Sequence, residues 1–579
     1  MDQNFILNIE NKAKQWLGAD YDRQTQNRVR LLIQKDSKLL IDAFYKDLEF
    51  GTGGLRGKMD VGTNRMNKYT VGLASQGLAN YLKKISKGKK AKVAIAYDTR
   101  KNSRFFAEIS AAVLSANGIK VYLFEDFRPL PELSFAVRYL KCSCGIIITA
   151  SHNPKEYNGY KVFWDDGGQI ISPHDKKITG EIQKISIADV HFDGNRKMIE
   201  IIGSRMDREY LKNVKSLSLS KEIIKKHSDL KIVYSPIHGT GLHLVPKALD
   251  LYGFKNVFSV PEQEITDGNF STVKSPNPEE VSTFKAAIRK AREVDADIII
   301  VTDPDADRAA LAVKKNKGRY VVLNGNQAAT ILIYYLLNRM SEIKCLQGGE
   351  YIVKTIVTTE ILQRIARAHS VKCHDVLIGF KWIGDVIKRS GPAKKFLAGA
   401  EESIGFLAGD FVRDKDGVVT CALFAEAAAW AASKNKTLYD LLIDIYVEHG
   451  FYKTRMFYIV KEGLTGEQEI KNMMTAYRNM SSGTIAGAGI VAVNDYSLKK
   501  SKNLVVNTEK KISLPQSNII QYFLDDYSKI TVRPSGTEPK IKYYFEVAGD
   551  LQNAKSFKKA DQLLSERIDR LQNAIINVA

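Results

Sequence analysis

Ser151 stands in Thr149-Ala150-Ser151-His152-Asn153-Pro154, directly behind the apolar run 145–148. A hydroxyl at the carboxyl end of a buried strand sits where α/β folds place their ligands. His152 beside it can orient or polarise that hydroxyl. A polar strand-to-turn junction reads the same way, because Asn-Pro is a turn signal. The segment is not a G-x-S-x-G elbow. A second segment, Asp303-Pro304-Asp305-Ala306-Asp307-Arg308, follows the run 298–301. Three carboxylates at alternate positions repel one another unless a cation neutralises them, and they can converge on one hard ion. Mg²⁺ completed by a phosphate oxygen suits so few protein ligands. Arg308 and Lys314 occupy the positions where a calcium loop needs Gly and Glu, which excludes that class.

Arg533-Pro534-Ser535-Gly536-Thr537-Glu538-Pro539-Lys540 follows the run 529–532. An arginine, two hydroxyls and a glycine amide make a cradle for a dianion. A β-turn with surface polar groups is the alternative. Ala400-Glu401-Glu402-Ser403-Ile404-Gly405 offers carboxylates and a hydroxyl to sugar hydroxyls, or else an acidic first turn of a helix. Gly379-Phe380-Lys381-Trp382 and Phe50-Gly51-Thr52-Gly53-Gly54-Leu55-Arg56-Gly57 each set a cation beside permissive backbone.

The elements that must carry these loops are short apolar runs alternating with helical patterns. Residues 92–97 read as a buried strand. Ser103 is placed to cap a helix with Phe105, Phe106, Ile109, Ala112 and Val113 on one face, Gly118 ends it, and 119–124 is the next strand. The same rhythm recurs at 231–260 and 350–376, with further strands at 145–149, 297–302, 319–323 and 395–399. These are three βαβ-like units. Beyond about residue 450, strands at 489–493, 518–523, 528–533 and 541–547 and a helix over 553–575 read as a smaller α+β domain. Helices over about 4–17 and 23–44 form an N-terminal extension. The fold class is therefore α/β, with domains 1–205, 206–320, 321–455 and 456–579.

Composition narrows the function classes. A chain of 579 residues predicts about three to five domains. With 44% hydrophobic and 26% charged residues it is an ordinary globular protein. Lys plus Arg is 86 against 65 acidic residues, a formal charge of +21. That suits polyanions or small phosphorylated molecules, but also a lysine-rich solvated surface. The run Lys83–Lys90 reads as a solvated loop. No zinc-finger spacing or aromatic RNA-binding signature accompanies it, so no nucleic-acid partner is expected. Five scattered cysteines argue against a disulfide framework, and the Cys142/Cys144 pair reads as buried small side chains. No signal peptide or apolar stretch of about 20 residues is seen, so a cytoplasmic protein without a membrane partner is expected.

Together and in this order, the serine loop, the D-x-D-x-D-R loop, the A-E-x-S loop and the R-x-S-G-T-E-P loop resemble the α-D-phosphohexomutase superfamily. The length, the N-terminal extension and Glu401-Glu402-Ser403 look most like its phosphoglucomutase/phosphopentomutase branch. The resemblance implies four domains around a central cleft, three related α/β mixed-sheet domains and a smaller C-terminal α+β domain. It implies that Ser151 is the phosphoserine and, with Asp303, Asp305 and Asp307, a ligand of one Mg²⁺. It makes Lys161 the general acid/base, and places His152, Arg56 and Arg308 near the transferring phosphate. Glu401, Ser403 and Lys381 would contact substrate, and Arg533, Ser535, Gly536 and Thr537 would clamp the phosphate that does not react.

The implied reaction moves a phosphoryl group between O1 and O6 of a hexose phosphate, with glucose 1,6-bisphosphate as intermediate and activator. Phosphomannomutase and phosphopentomutase activities are the alternatives within the superfamily. A metal-dependent phosphatase and a polyanion-binding protein are the alternatives outside it. A small sugar phosphate is the expected partner, and the chain is expected to act as a monomer or homodimer. Ala400, Ile378 and Ile404-Gly405 depart from residues common in related sequences and bear on which sugar is accepted.

Overall fold

The computed structural model describes residues 3–51, 54–86, 88, 90–316, 318–391, 394–461, 466–480, 483–535 and 540–578. The chain divides into two compact units that interleave in sequence. One is Met1–Val322 with Ile383–Pro392 and Gly405–Trp430. The other is Leu323–Trp382, Ala393–Ile404 and Ala431–Ala579.

The first unit holds two mixed sheets. The six-stranded sheet comprises β1 (Gly54–Lys58), β2 (Lys92–Tyr97), β3 (Lys120–Phe124), β4 (Cys144–Ile148), β5 (Tyr157–Trp164) and β6 (Ile199–Ile202), in the order β1-β5-β4-β2-β3-β6. β2 and β4 pair in parallel and are almost wholly apolar, as strands covered on both faces must be. β5 runs antiparallel to β4 and to β1. The helices Lys68–Ile85 and Ser103–Ala116 close over Val93, Ile95, Ile146, Ile148 and Val162. The second sheet comprises β7 (Lys231–Ser235), β8 (Asn256–Ser259), β9 (Ile298–Thr302), β10 (Ala309–Asn316) and β11 (Arg319–Val322), in the order β11-β10-β9-β7-β8. β9 is buried along its whole length, and Asp303 follows it at once.

The segment Gly405–Trp430 is tied into this unit by buried polar contacts. Asp416 precedes the helix Gly417–Ala432 and accepts from the Val419 N–H at 2.9 Å. The Tyr210 hydroxyl donates to both of its oxygens, at 2.7 and 2.8 Å. Glu426, one side of the same helix, accepts from Ser218 and from the Leu219 and Ser220 amides.

In the second unit β12 (Glu350–Thr355) pairs in parallel with β13 (Lys372–Val376) and β14 (Lys395–Ala400). The helix Gly325–Glu342 packs against the helices Ile361–Ala368 and Leu438–His449, its start capped reciprocally by Asn324 and Gln327. An eight-stranded antiparallel sheet follows, built on Phe451–Val460, Lys540–Gly549, Lys529–Pro534, Ile520–Leu524 and Ala488–Asp495. The terminal helix Phe557–Ile576 buries Leu564, Ile568, Leu571 and Ile575. Lys354, fully buried, bridges Glu360 at 3.1 Å and Asp375 at 2.8 Å, and Lys529 meets Glu360 at 2.6 Å.

The architecture is that of three α/β mixed-sheet regions and a C-terminal sheet-and-helix region. Three local expectations fail. The N-terminal helix breaks into Arg23–Lys35 and Ser37–Phe44, because the Asp36 carboxylate accepts from the Leu39 N–H and starts a new helix. Ser103 does not cap its helix: its hydroxyl donates to Asp98 at 2.6 Å and Asn102 occupies the cap position. Phe105 is exposed while Phe106 is buried. Cys142 and Cys144 are buried and free. No described helix is long and apolar enough to cross a membrane.

Burial pushes the Asp416 carboxyl up to about 6, despite its hydrogen bonds from Val419 and Tyr210. A raised folded value adds stability at low pH that is lost as pH rises through about 6. Asp416→Asn keeps the cap and removes the buried charge. Its unfolding free energy should match the wild type near pH 4 and exceed it above pH 7 by an amount on the order of 2–3 kcal/mol. A constant difference across that range would refute this.

Candidate active site

Two sheets of the first unit deliver their strand ends to one place. β4 ends at Ile148, and Thr149 turns the chain by accepting from the Ser151 N–H at 2.8 Å. Ser151 itself lies in the left-handed region at φ 51°, a strained choice for a residue with a Cβ. Its hydroxyl donates to Asp303 at 2.7 Å and lies 3.2 Å from His152 Nδ1.

The aspartate loop is held by its backbone from three directions. The Thr240 N–H donates to the Pro304 carbonyl at 2.8 Å, Leu130 to Asp305 at 2.9 Å and Gly417 to Ala306 at 3.1 Å. Any side chain at Gly239 or Gly417 would collide with this loop, the Cβ lying 2.6 Å from Pro304 Cα and 2.5 Å from the Ala306 carbonyl. With the backbone spoken for, Asp303, Asp305 and Asp307 bring one oxygen each within 4.8 Å of the others, all three carboxylates being buried.

Cations surround the trio without saturating it. Lys161, from β5, donates to Asp305 at 3.0 Å and lies 4.0 Å from Asp307. Lys415 pairs with Asp307 at 3.2 Å and Asp414 at 2.8 Å. The Arg308 guanidinium lies 3.6 Å from Asp307 and 3.9 Å from Glu279. One oxygen each of Asp305 and Asp307 remains buried with no hydrogen-bond partner among the described residues. Burial, then the two neighbouring carboxylates, push Asp303 well above the usual carboxylate range, and burial with Asp305 raises Asp307. Burial would raise Asp305 too, but Lys161, the Asp303 hydrogen bond and Lys415 outweigh it and hold that group low. Two orphaned oxygens in an all-carboxylate set fit a hard divalent cation, whose arrival would displace protons from the trio. Burial among Arg308 and Arg56 lowers His152 far below its ordinary value, so its ring is neutral.

Arg56 is exposed on edge strand β1 and donates to the Asn153 side chain at 3.3 Å. Sequence reasoning missed Arg100. It is buried, pairs with Asp98 at 3.3 Å, and donates to the carbonyls of Ser151 at 2.6 Å, Pro154 at 2.9 Å and Tyr157 at 3.2 Å as well as to Asn153. One guanidinium thus pins the whole serine loop. Lys415 was missed as well. Its neighbours in Arg413-Asp414-Lys415-Asp416 read as a charged turn, and only the fold reveals its partner 108 positions earlier.

In the second unit the loop after β14 is a bend rather than a helix start. Glu401 is buried and accepts from the Gly379 N–H at 3.0 Å, and Glu402 accepts from Thr355 at 3.2 Å. Ser403 is half-buried between them and Ile404, which has φ 54°. Lys381 lies over the Trp382 ring at 5.3 Å. Arg533 closes the strand Lys529–Pro534, its Nε buried with no hydrogen-bond partner among the described residues. The Ser535 N–H donates to the Lys540 carbonyl at 2.7 Å. Gly536 and Thr537 lie outside the described residues, as do Thr52 and Gly53.

Titrating Mg²⁺ into the metal-free protein should raise its thermal stability by about 2.7 kcal/mol at a hundredfold excess over Kd, because only the folded trio binds it. Asp305→Asn should abolish that shift. A persisting shift would place the ion elsewhere.

Comparison with known proteins finds relatives along most of the chain. Family models match three consecutive stretches: phosphoglucomutase/phosphomannomutase α/β/α domain I over residues 47–189, domain II over 208–318 and domain III over 324–448. A phosphoglucomutase of Staphylococcus haemolyticus is 38% identical over 90% of this chain and 93% of its own length. One from Staphylococcus aureus is 36% identical over 87% of this chain and 90% of its own. Among solved structures, the open form of the Paramecium phosphoprotein parafusin, a phosphoglucomutase, superposes with TM-score 0.68 at 16% identity, covering 92% of this chain and 95% of its own. A Thermus thermophilus putative phosphomannomutase gives 0.65 at 20% identity, covering 90% and 99%.

Proposed function

Because this chain belongs to the phosphoglucomutase/phosphomannomutase family of the α-D-phosphohexomutase superfamily, we propose that it interconverts glucose 1-phosphate and glucose 6-phosphate. The observation that carries the reading is the 2.7 Å contact between the Ser151 hydroxyl and Asp303, inside a trio with two unpartnered carboxylate oxygens. The relatives at 36–38% identity, all phosphoglucomutases, favour glucose over mannose or pentose.

Ser151 carries the phosphoryl group between turnovers. In the forward step a sugar hydroxyl oxygen bonds to phosphorus as the bond to Ser151 Oγ breaks, and the hydroxyl proton passes to Lys161 in its neutral amine form, the ammonium that donates to Asp305 here having first given up a proton. Glucose 1,6-bisphosphate results, turns over, and returns its other phosphoryl group to Ser151. Asp303, Asp305 and Asp307 would hold one Mg²⁺, which when bound supplies positive charge to the phosphoryl oxygens. Neutral His152, with Arg56 and Arg308, surrounds the transferring group. Glu401, Ser403 and Lys381 are assigned to the sugar. Arg533 and Ser535, with Gly536 and Thr537, are assigned to the phosphate that stays in place, where the Arg533 Nε, without a hydrogen-bond partner among the described residues, supports an anion.

Domain boundaries near residues 205, 320 and 455 fit this division of labour. Free cysteines and the absence of a disulfide among the described residues suit a reducing cytoplasm. A monomer or homodimer is sufficient for the reaction as written.

Peptide mapping of the purified protein should find one phosphate, on Ser151. Ser151→Ala should lose turnover of glucose 1-phosphate while remaining folded, and a panel of glucose, mannose and ribose 1-phosphates should rank glucose first. Turnover of Ser151→Ala at the wild-type rate would remove the proposed mechanism.

A further inference from the structure

The three N-terminal helices, Gln3–Gln15, Arg23–Lys35 and Ser37–Phe44, lie before the first residue that the family models match. They have a core of their own, Ile9, Ala13, Trp16, Val29, Leu32, Leu40, Ala43 and Phe44, closed by Tyr69. We propose that this extension is a positioning element for Arg56, acting through Asp42, Arg65 and the loop 59–67. The inference rests on the phosphate-gripping role given to Arg56 above.

The need arises from the sheet. β1 carries Arg56 at the edge, paired with β5 on one side only. An edge strand lacks a second ladder to fix it. Here the chain leaving β1 folds back, and the Met66 N–H donates to the Lys58 carbonyl at 2.9 Å. That return loop is then stitched to the extension along its length. Leu48 N–H donates to Thr63 at 2.8 Å, Asn64 N–H to Ala43 at 2.9 Å, and the Thr63 hydroxyl to Lys46 at 2.7 Å.

Two arginines complete the seam. Arg65, only 6% exposed, reaches the Asp42 carboxylate at 2.6 Å and the Asp42 carbonyl at 3.0 Å. Arg28 grips Asp60 with two bonds, at 3.1 and 2.8 Å. Backbone touches backbone at Gly62, where φ is +117° and a Cβ would sit 2.6 Å from the Ala43 carbonyl. From helix to return loop to β1 is thus a continuous run of short contacts. The extension contributes no residue to the aspartate trio or the serine loop, so its influence on chemistry passes through the strand it braces.

A double-mutant cycle tests this. Arg65→Ala should lower kcat on the order of tenfold to a hundredfold with a smaller change in KM, as misplacing a phosphate-gripping group does. On an Arg56→Ala background the same substitution should cost less than about twofold more, because the group it positions is gone. Hydrogen exchange should speed up at Gly54–Lys58 in Arg65→Ala and stay unchanged at Lys92–Tyr97. If Arg65→Ala does not fold, Arg28→Ala, which removes an exposed pair, should show the same pattern at smaller amplitude. Equal losses on both backgrounds would overturn the proposal, as would wild-type turnover in a folded Arg65→Ala. Wild-type turnover of Arg56→Ala would instead remove the role given to Arg56, and the proposal with it.

Discussion

Three buried carboxylates on five consecutive residues set the terms for what surrounds them. Like charges in a low-dielectric interior repel strongly, so each must be paired, protonated or given a metal. The fold neutralises them only in part: Lys161 and Lys415 from segments far apart in sequence, the Ser151 hydroxyl, and the Arg308 amide on Asp303 at 3.1 Å. Two oxygens stay unmet. Such an open carboxylate set fits a divalent cation better than a closed salt-bridge network would. A satisfied network would have been more stable and chemically inert.

The serine loop follows the complementary strategy. Its hydroxyl faces the trio because the backbone at residue 151 takes a left-handed turn that costs on the order of 1–3 kcal/mol. Arg100 keeps that conformation in place by holding several loop carbonyls with one rigid, planar side chain. Arg100 in turn is anchored by Asp98, and Asp98 by Ser103. Stability in this neighbourhood is spent on orientation.

How much of this was legible in the sequence depended on distance along the chain. Ser151 and the aspartates were visible because each follows a run of apolar residues that only a buried strand accommodates, and parallel sheets put their ligands at such ends. The alternation of strand and helix gave the three α/β regions for the same reason. Arg100 and Lys415 were invisible, since an arginine after a strand and a lysine among acids are ordinary locally. Only the tertiary fold says that one meets carbonyls some 50 positions on and the other a buried carboxylate. Strand β5 escaped notice because Asn158, Gly159 and Lys161 break the apolar pattern; Asn158 is spent on Ser103 and the Lys101 carbonyl, and Lys161 on Asp305. The broken second helix was lost to an aspartate whose capping role needs the third dimension.

The interleaving of the two units has a bearing on how the protein is made. Residues 405–430 complete the unit that begins at Met1, and with them come Lys415 and the helix that closes on the aspartate loop. The aspartate trio therefore lacks its Lys415 partner and the covering helix until residue 430 is made, by which time most of the other unit's α/β region has also been synthesised. The first unit has all its residues once 430 is made, whereas the second needs the chain beyond it. A fragment ending near residue 322 would hold the aspartate trio without its Lys415 partner.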